Sequence, residues 1–136
     1  MKKNILILIS TITLSYSQGY TKADRILDMQ KMAHAMQEIQ TGFFYNNLEM
    51  VQSGVKVLKE TIVKVRPTDE EVETKDIYEK WLNNNIKMTN KIRKKIIKKA
   101  TDIEDRFKSG DSIQALQAYS KITQQCMKCH IQIRKW

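Results

Sequence analysis

Five residues near the carboxyl end, Cys126-Met127-Lys128-Cys129-His130, constrain the fold more than any other part of the sequence. The C-x-x-C-H pattern is the attachment motif of c-type haem: each thiol adds to one porphyrin vinyl group, and the histidine that follows binds the iron. On a helix, Cys129 lies ~60° and His130 ~40° around the axis from Cys126. One helix face can therefore hold both ring and metal, and we predict one haem c attached through the two cysteines.

Other interpretations of the motif are weaker. A zinc site needs about four protein ligands, whereas the chain has two cysteines and, besides His130, only the distant His34. A thioredoxin-like C-x-x-C needs a strand and a crossover connection before it, and no strand pattern precedes the motif. A disulfide is disfavoured because cysteines three apart on a helix fit the bridge geometry poorly.

The amino-terminal segment has the pattern of a secretory signal. Two lysines precede an apolar run from Ile5 to Leu14, and small residues follow up to Ser17. The run is shorter than the ~20 residues that span a bilayer, so we expect a signal peptide over residues 1–17 and cleavage after it, with an uncleaved anchor as the alternative. In bacteria c-type haem is attached outside the cytoplasm, so a periplasmic location agrees with the haem motif.

Glycine and proline are scarce, with 4 and 1 residues in a chain of 136. The many Lys, Gln, Glu, Leu, Met and Ile residues favour helix. We therefore predict an all-α domain over residues 18–136, long enough for one core but not for two. Four helices with short connections favour an antiparallel four-helix bundle, which can bind a cofactor between facing helices.

Capping and breaking residues set the predicted boundaries. Gly42 should end the first helix, Pro67 the second, and the turn at Gly110 the third. Thr68 and Glu71 form a capping box, so another helical segment begins there, and whether it joins the third helix is open. We predict helix A from about Thr21–Asp24 to Thr41, helix B from Leu48 towards Pro67, helix C from about Asp76 to Ser109, and helix D from Asp111 to Ile133.

Apolar residues at helical spacing predict the buried face of each helix. His34 lies ~140° from Met29 on helix A and is expected at the surface. The predicted stripes are Ile26, Met29, Ala33, Met36 and Gln40, with Met32 and Ile39 beside them, in helix A; Leu48, Val51, Val55, Leu58, Ile62 and Val65 in helix B; Trp81, Met88, Ile92, Ile96, Ala100, Ile103 and Phe107, interrupted by Asn85, in helix C; and Ile113, Leu116, Tyr119, Ile122 and Cys126 in helix D.

The chain is basic, with a formal net charge of +9. A dense cationic run, Lys91–Lys99, lies in helix C. In an exported protein nucleic acid is not an expected partner, so we predict redox proteins with acidic docking surfaces, and a membrane contact only transiently or through an uncleaved signal. A solvated face without a partner is the plainer interpretation, and a homodimer stays open.

A C-x-x-C-H motif on the last of four helices resembles the class II cytochromes c, the cytochrome c-prime family. Arg25 four residues before Met29, the Gly110-Asp111 turn, and Arg134 four residues after His130 fit the same pattern. The resemblance covers most of residues 18–136. The aromatic connection that follows Gly42 and the basic helix C depart from the pattern.

The resemblance implies that Met29 binds the iron. In that family an apolar residue at this place leaves the iron five-coordinate and high-spin, whereas methionine supplies a sixth ligand. The resemblance also implies that Arg25 lies at a haem propionate and Arg134 near His130. An inward-facing cation such as Arg25 needs a carboxylate, and a propionate would supply one. Met32 and Met36 are reserve ligands, and the plainer interpretation of Met29 is a methionine that fills the core.

These features predict a periplasmic mono-haem electron carrier with a His/Met-ligated, low-spin iron. A thioether is a soft, neutral ligand that favours ferrous iron, and two closed axial positions suit electron transfer. The alternative is a cytochrome c-prime with an open or weakly held sixth position that binds nitric oxide or carbon monoxide, and a third hypothesis is a helical adaptor without haem. No enzyme is predicted, because no nucleophile has a paired base and no glycine-rich phosphate loop is present.

Overall fold

A computed structural model describes residues 19–73 and 79–134, with side chains described for 19–71 and 86–132. The helices in these ranges are α1 (Lys22–Phe44), α2 (Leu48–Ile62), α3 (Asp69–Glu73), α4 (Glu79–Lys108) and α5 (Ser112–Arg134). No strand occurs in the described ranges. The predicted all-α class is confirmed, and the arrangement is compatible with a four-helix bundle of α1, α2, α4 and α5, with α3 as an additional short helix.

Several predictions fall outside the described residues. The predicted signal peptide, residues 1–17, is one of them, and the junction between the capping-box segment and helix C, residues 74–78, is another. The side chains of Trp81, Asn85 and Arg134 belong to the same group. None of the described helices is both long enough and apolar enough to cross a lipid bilayer.

The start of α1 follows the prediction and its end does not. Thr21 caps the helix by accepting from the Asp24 amide at 3.2 Å, while the Asp24 carboxylate accepts from the Thr21 amide at 2.9 Å. The helix then continues past Gly42 to Phe44, and the turn is made by Asn46, with φ +48°. The prediction that Gly42 ends the helix was wrong, because this glycine serves packing instead of a turn.

Two glycines let α1 and α2 approach each other closely. A Cβ atom on Gly42 would lie 2.8 Å from Val51 Cγ2, and one on Gly54 would lie 2.7 Å from the Ala35 carbonyl oxygen and 2.7 Å from Ile39 Cγ1. Neither position has room for a larger residue without movement of the partner helix. The distance between α1 and α2 therefore depends on the absence of side chains at these two glycines.

The buried faces of α2 and α4 agree with the predicted stripes. In α2 and the residues after it, Val51, Val55, Leu58, Ile62 and Val65 are all buried, and in α4 the buried apolar residues are Ile92, Ile96, Ala100, Ile103 and Phe107. Two other predicted members, Leu48 at the start of α2 and Met88 within α4, are half-buried against this core. These two helices supply most of the large side chains of the interior.

The buried faces of α1 and α5 are rotated from the predicted stripes. In α1 the core line is Met32, Ala35 and Ile39, while Ile26 is 52% exposed and Ala33 and Gln40 are also exposed. In α5 the core line is Ala115, Ala118 and Ile122, whereas Ile113 is 69% and Leu116 49% exposed. Ile39 and Ile122 were predicted inside and are fully buried, whereas Ala35, Ala115 and Ala118 occupy other places in the core lines, where larger apolar residues were predicted.

The turn between α4 and α5 has the predicted form. Gly110 has φ +82°, and the Asp111 amide donates to the Arg106 carbonyl at 2.8 Å while the Gly110 amide donates to that of Phe107 at 3.1 Å. This is the hydrogen-bond pattern of a helix end with a left-handed glycine. Asp111 then caps α5 by accepting from the Gln114 amide at 3.1 Å.

Residues before α1 are held by a buried polar contact. Asp28 is 6% exposed and accepts a hydrogen bond from the Tyr20 hydroxyl at 3.0 Å. Burial, followed by this hydrogen bond to a carboxylate, raises the pKa of Tyr20. The Arg66 guanidinium lies 5.2 Å from the centre of the Tyr20 ring, so this tyrosine joins the start of α1 to the segment after α2.

Three pairs of helices pack closely in the described part of the chain: α1 with α2, α2 with α4, and α4 with α5. The backbones of α1 and α5, the first and last helices of this series, do not approach as closely. The bundle is therefore tight on three sides and looser on the fourth.

The close contact at Gly54 gives a test of the packing. Gly54→Ala is expected to destabilise the protein by about 1–3 kcal/mol, because the added methyl group meets the α1 backbone, although alanine alone favours helix by about 1 kcal/mol. Ser53→Ala, at the exposed neighbouring position, is the control and is expected to be neutral or slightly stabilising. Urea unfolding followed by circular dichroism measures both, and a Gly54→Ala variant as stable as the parent would contradict the account.

Candidate functional site

The motif lies in the last turns of α5, as predicted from its spacing. Cys126, Cys129 and His130 are half-buried, whereas Met127 and Lys128 between them are exposed. Both cysteines are free and pack against the core. The three motif side chains therefore lie on the inner half of the helix, and the two intervening residues are more exposed.

One flank of α5 carries both the motif and an aromatic contact to α1. Tyr119, Cys126 and His130 fall within about 40° of each other around the helix axis. Tyr119 meets the ring of Phe43 edge-on, with 5.9 Å between ring centres. Because Phe43 belongs to α1, this flank of α5 is the one that faces α1.

A matching flank runs along α1. Arg25, Met29, Met36 and Phe43 also lie within about 40° of each other, and all four are half-buried. At one end Phe43 contacts Phe107 of α4, with ring centres 5.3 Å apart. At the other end Arg25 is close enough to Cys129 for its charge to oppose the rise in the thiol's pKa.

The ring contact of Phe43 with Tyr119 and the electrostatic effect of Arg25 on Cys129 define a seam between α1 and α5, with Arg25, Met29, Met36 and Phe43 on one side and Tyr119, Cys126 and His130 on the other. The aromatic rings pack together at one end of the seam, and at the other end the charge of Arg25 acts on the Cys129 thiol. Between them the two backbones stay further apart than in the three close pairs. Met29 and the motif thus lie on facing flanks of the same seam.

The two thiols are held in their protonated form. Burial raises the pKa of Cys126, and the neighbouring Cys129 raises it further. Burial also raises the pKa of Cys129, against the opposing effect of Arg25. A redox-active C-x-x-C needs a thiol of lowered pKa, commonly at a helix amino terminus, whereas this motif is at the carboxyl end of α5. The electrostatics therefore disfavour a dithiol oxidoreductase.

A metal bound by protein ligands alone also lacks support. Among the described residues there is no group of three or more His, Cys, Asp or Glu side chains placed to hold an ion. His34 is exposed, as predicted, and takes no part in the seam. The zinc interpretation of the motif consequently lacks further ligands within the described part of the chain.

Arg25 has a carboxylate partner that the sequence interpretation missed. Its guanidinium donates to Glu71 Oε2 at 2.8 Å and to Oε1 at 2.9 Å, a bidentate ion pair. The predicted capping box fixes Glu71, whose Oε2 also accepts from the Thr68 amide at 3.0 Å. The need of Arg25 for a carboxylate is therefore met within the chain, and its contact with a haem propionate stays a prediction.

The reserve methionines occupy different places. Met32 is 7% exposed and lies in the core line of α1, whereas Met36 shares the seam flank with Met29, two turns further along. The plainer role of filling the core therefore fits Met32. Of the methionines in α1, Met29 lies on the seam flank one turn from Arg25, towards the end where Arg25 approaches Cys129.

The Arg25–Glu71 pair predicts a pH-dependent contribution to stability. The hydrogen bonds from Arg25 are the main cause of a lowered pKa for Glu71. A carboxylate with a depressed folded pKa stabilises the protein above the unfolded value and loses that contribution as the pH falls through the folded value. Because both side chains are partly exposed, Glu71→Gln is expected to cost only about 0.5–1 kcal/mol at pH 7.

Glutamine keeps the capping-box geometry, so this change isolates the ion pair. The stability difference from the parent should shrink towards zero in acid, as measured by urea unfolding at several pH values. Glu60→Gln, an exposed position of α2, serves as the control and should show a smaller effect. A Glu71→Gln difference that does not change with pH would contradict the ion-pair explanation.

Comparisons with protein-family models, with curated proteins and with solved structures found no match for this chain. The resemblance to the class II cytochromes c therefore depends on the motif and the residues around it.

Proposed function

We propose that the chain is an exported mono-haem c-type cytochrome that carries single electrons between redox partners and turns over no substrate. The observation that carries the proposal is the position of Cys126 and His130 on the flank of α5 that faces Met29 across the looser side of the bundle, with Cys129 beside them towards the core. One thiol, an imidazole and a thioether then lie along the seam, and the second thiol lies next to it. A haem attached to the two cysteines would use all four groups.

The lining of the seam supports the proposal. Ile26 of α1 is 52% exposed, and Leu116 and Met127 of α5 are 49% and 45% exposed. These apolar side chains lie beside the two seam flanks, within about 40–60° of them. A porphyrin ring is a large apolar group, and burying such side chains against it would stabilise the folded protein by roughly 25 cal/mol for each Å² removed from water.

Each residue of the seam has a defined role in the proposal. Cys126 and Cys129 would hold the ring, His130 would bind the iron from α5, and Met29 would bind it from α1. The haem supplies the ferric/ferrous couple when it is bound. With iron ligands supplied from both α1 and α5, the chain would keep the same residues bound in both oxidation states, which suits electron transfer because little has to reorganise.

The export proposal depends on the sequence alone. Covalent attachment of haem to C-x-x-C-H in bacteria occurs outside the cytoplasm, and the amino-terminal pattern supports delivery there. The free, protonated thiols are compatible with this chemistry, since addition to a vinyl group requires reduced cysteines. Expression for testing therefore requires the intact amino-terminal segment and a host that matures c-type cytochromes.

Covalent haem is the first test. The exported protein should stain for haem after denaturing electrophoresis, because a thioether-linked haem survives denaturation. Cys126→Ala combined with Cys129→Ala should abolish the stain, whereas Lys128→Ala, an exposed position inside the motif, should retain it. A parent protein that emerges without haem from a competent host would refute the proposal and favour a helical adaptor.

The axial methionine is the second test. The parent should have a low-spin spectrum with a sulfur-to-iron charge-transfer band in the far red. Met29→Leu should remove that band and give high-spin iron, whereas Met36→Leu, on the same flank two turns away, should leave it in place. Leucine preserves the apolar volume of methionine, so the two variants differ in the ligand and little in packing.

The same spectra separate the alternatives. If Met36→Leu lost the charge-transfer band and Met29→Leu kept it, the methionine ligand would be Met36 and not Met29. A parent that is already high-spin and binds carbon monoxide readily would instead favour a gas-binding protein with an open sixth position. Arg25 and Arg134 are proposed as neighbours of the haem, Arg25 at a propionate and Arg134 near His130.

A further inference from the structure

Helix α4 carries a stripe of exposed lysines. Lys87, Lys91, Lys94, Lys95 and Lys98 are all exposed, and they fall within about 100° around the helix axis over a length of about 17 Å. No acidic residue occurs in the sequence between Lys80 and Thr101. The five residues are called the lysine stripe below.

The charges of the lysine stripe are not neutralised by the described part of the chain. Nearby, Lys99 pairs with Asp102, and Arg93 donates to the Val63 carbonyl at 3.0 Å and to Asn90 Oδ1 at 2.8 Å. None of the five stripe lysines has an ion pair with a side chain that the structure describes. The neighbouring cations Lys99 and Arg93 thus make contacts within the fold, whereas the charges of the lysine stripe can contact an anionic surface.

The lysine stripe lies away from the seam. It occupies the side of α4 opposite the buried line of Ile92, Ile96 and Ile103. The close neighbours of α4 are α2 and α5, and α1, which forms one side of the seam, is not among them. A surface that contacts the stripe would therefore leave the seam free on the other side of the bundle.

The residue types in the stripe favour a diffuse anionic surface over a protein partner. Lysine is depleted in the buried centres of protein interfaces, where aromatic residues and arginine provide the anchors, and the exposed arc of the stripe contains no aromatic or large apolar residue. Lysines near an anionic lipid surface each strengthen binding without a fitted pocket. A straight row of flexible point charges matches a flat layer of headgroups.

We propose that the lysine stripe binds the protein to anionic phospholipid surfaces. Binding is electrostatic and reversible, and it turns the opposite side of the bundle towards solution. The orientation has value for electron transfer only through the proposed function, because it would leave the haem seam open to redox partners. The lipid contact itself needs no haem.

Vesicle sedimentation of the full, haem-loaded protein tests this inference. The parent should bind vesicles of phosphatidylglycerol and phosphatidylcholine, should not bind phosphatidylcholine alone, and should be released as salt is raised. The variant Lys91→Gln, Lys94→Gln, Lys95→Gln, Lys98→Gln should lose affinity by on the order of 1,000-fold. The absorption spectrum should be unchanged, which separates this test from those of the proposed function.

A control variant removes the same charge from scattered exposed positions, Lys31→Gln, Lys56→Gln, Lys64→Gln and Lys121→Gln. It should lose much less affinity than the stripe variant. Equal losses of affinity in the two variants would overturn the inference and would show that binding depends on net charge alone. A parent protein that does not bind anionic vesicles would also overturn it. Stripe-dependent binding to polyglutamate without binding to vesicles would overturn it in favour of an acidic protein partner.

Discussion

Close backbone approach between helices determines how the rest of the structure is arranged. Gly54 admits the Ala35 carbonyl and Ile39 of α1 against α2, and the inner face of α5 presents Ala115 and Ala118. The chain thus forms two tight helix pairs, joined by the packing of α2 on α4. Small residues occupy several of these contacts, and some of the larger apolar side chains of α1 and α5, such as Ile26 and Leu116, lie outside the core line, towards the side where the two helices face each other loosely.

That displacement explains where sequence interpretation succeeded and where it failed. The stripes of α2 and α4 were predicted well because each has one apolar face opposite a charged one. In α1 and α5 apolar residues occupy both the core line and the seam flank. The stripe predicted from their spacing therefore falls between these two faces. The motif lies in the last helix, where the Gly110 turn and the apolar spacing predicted it, and the relative directions of its three side chains depend only on helix pitch.

Long-range contacts account for the remaining misses. Gly42 has the local character of a helix end, and only the approach of Val51 from α2 shows that it is a packing position. The pairing of Arg25 with Glu71 joins residues 46 apart in sequence, so no local pattern contains it. The capping box at Thr68 located Glu71 at the start of a helix, but the direction of that helix relative to α1 depends on the whole fold.

The distribution of charge connects the seam with the outer surface. The net charge of +9 is carried partly by the lysine stripe of α4, whereas the seam has one described cation, Arg25, which Glu71 neutralises. A seam that is close to neutral and partly apolar would disfavour ferric iron, which carries the higher charge, because removing a charge from water costs free energy. For the proposed haem this environment favours the ferrous state, in the same direction as a thioether ligand. The fold thus separates the groups that would set the reduction potential from the lysines that would bind an anionic lipid surface, and either set can change without the other.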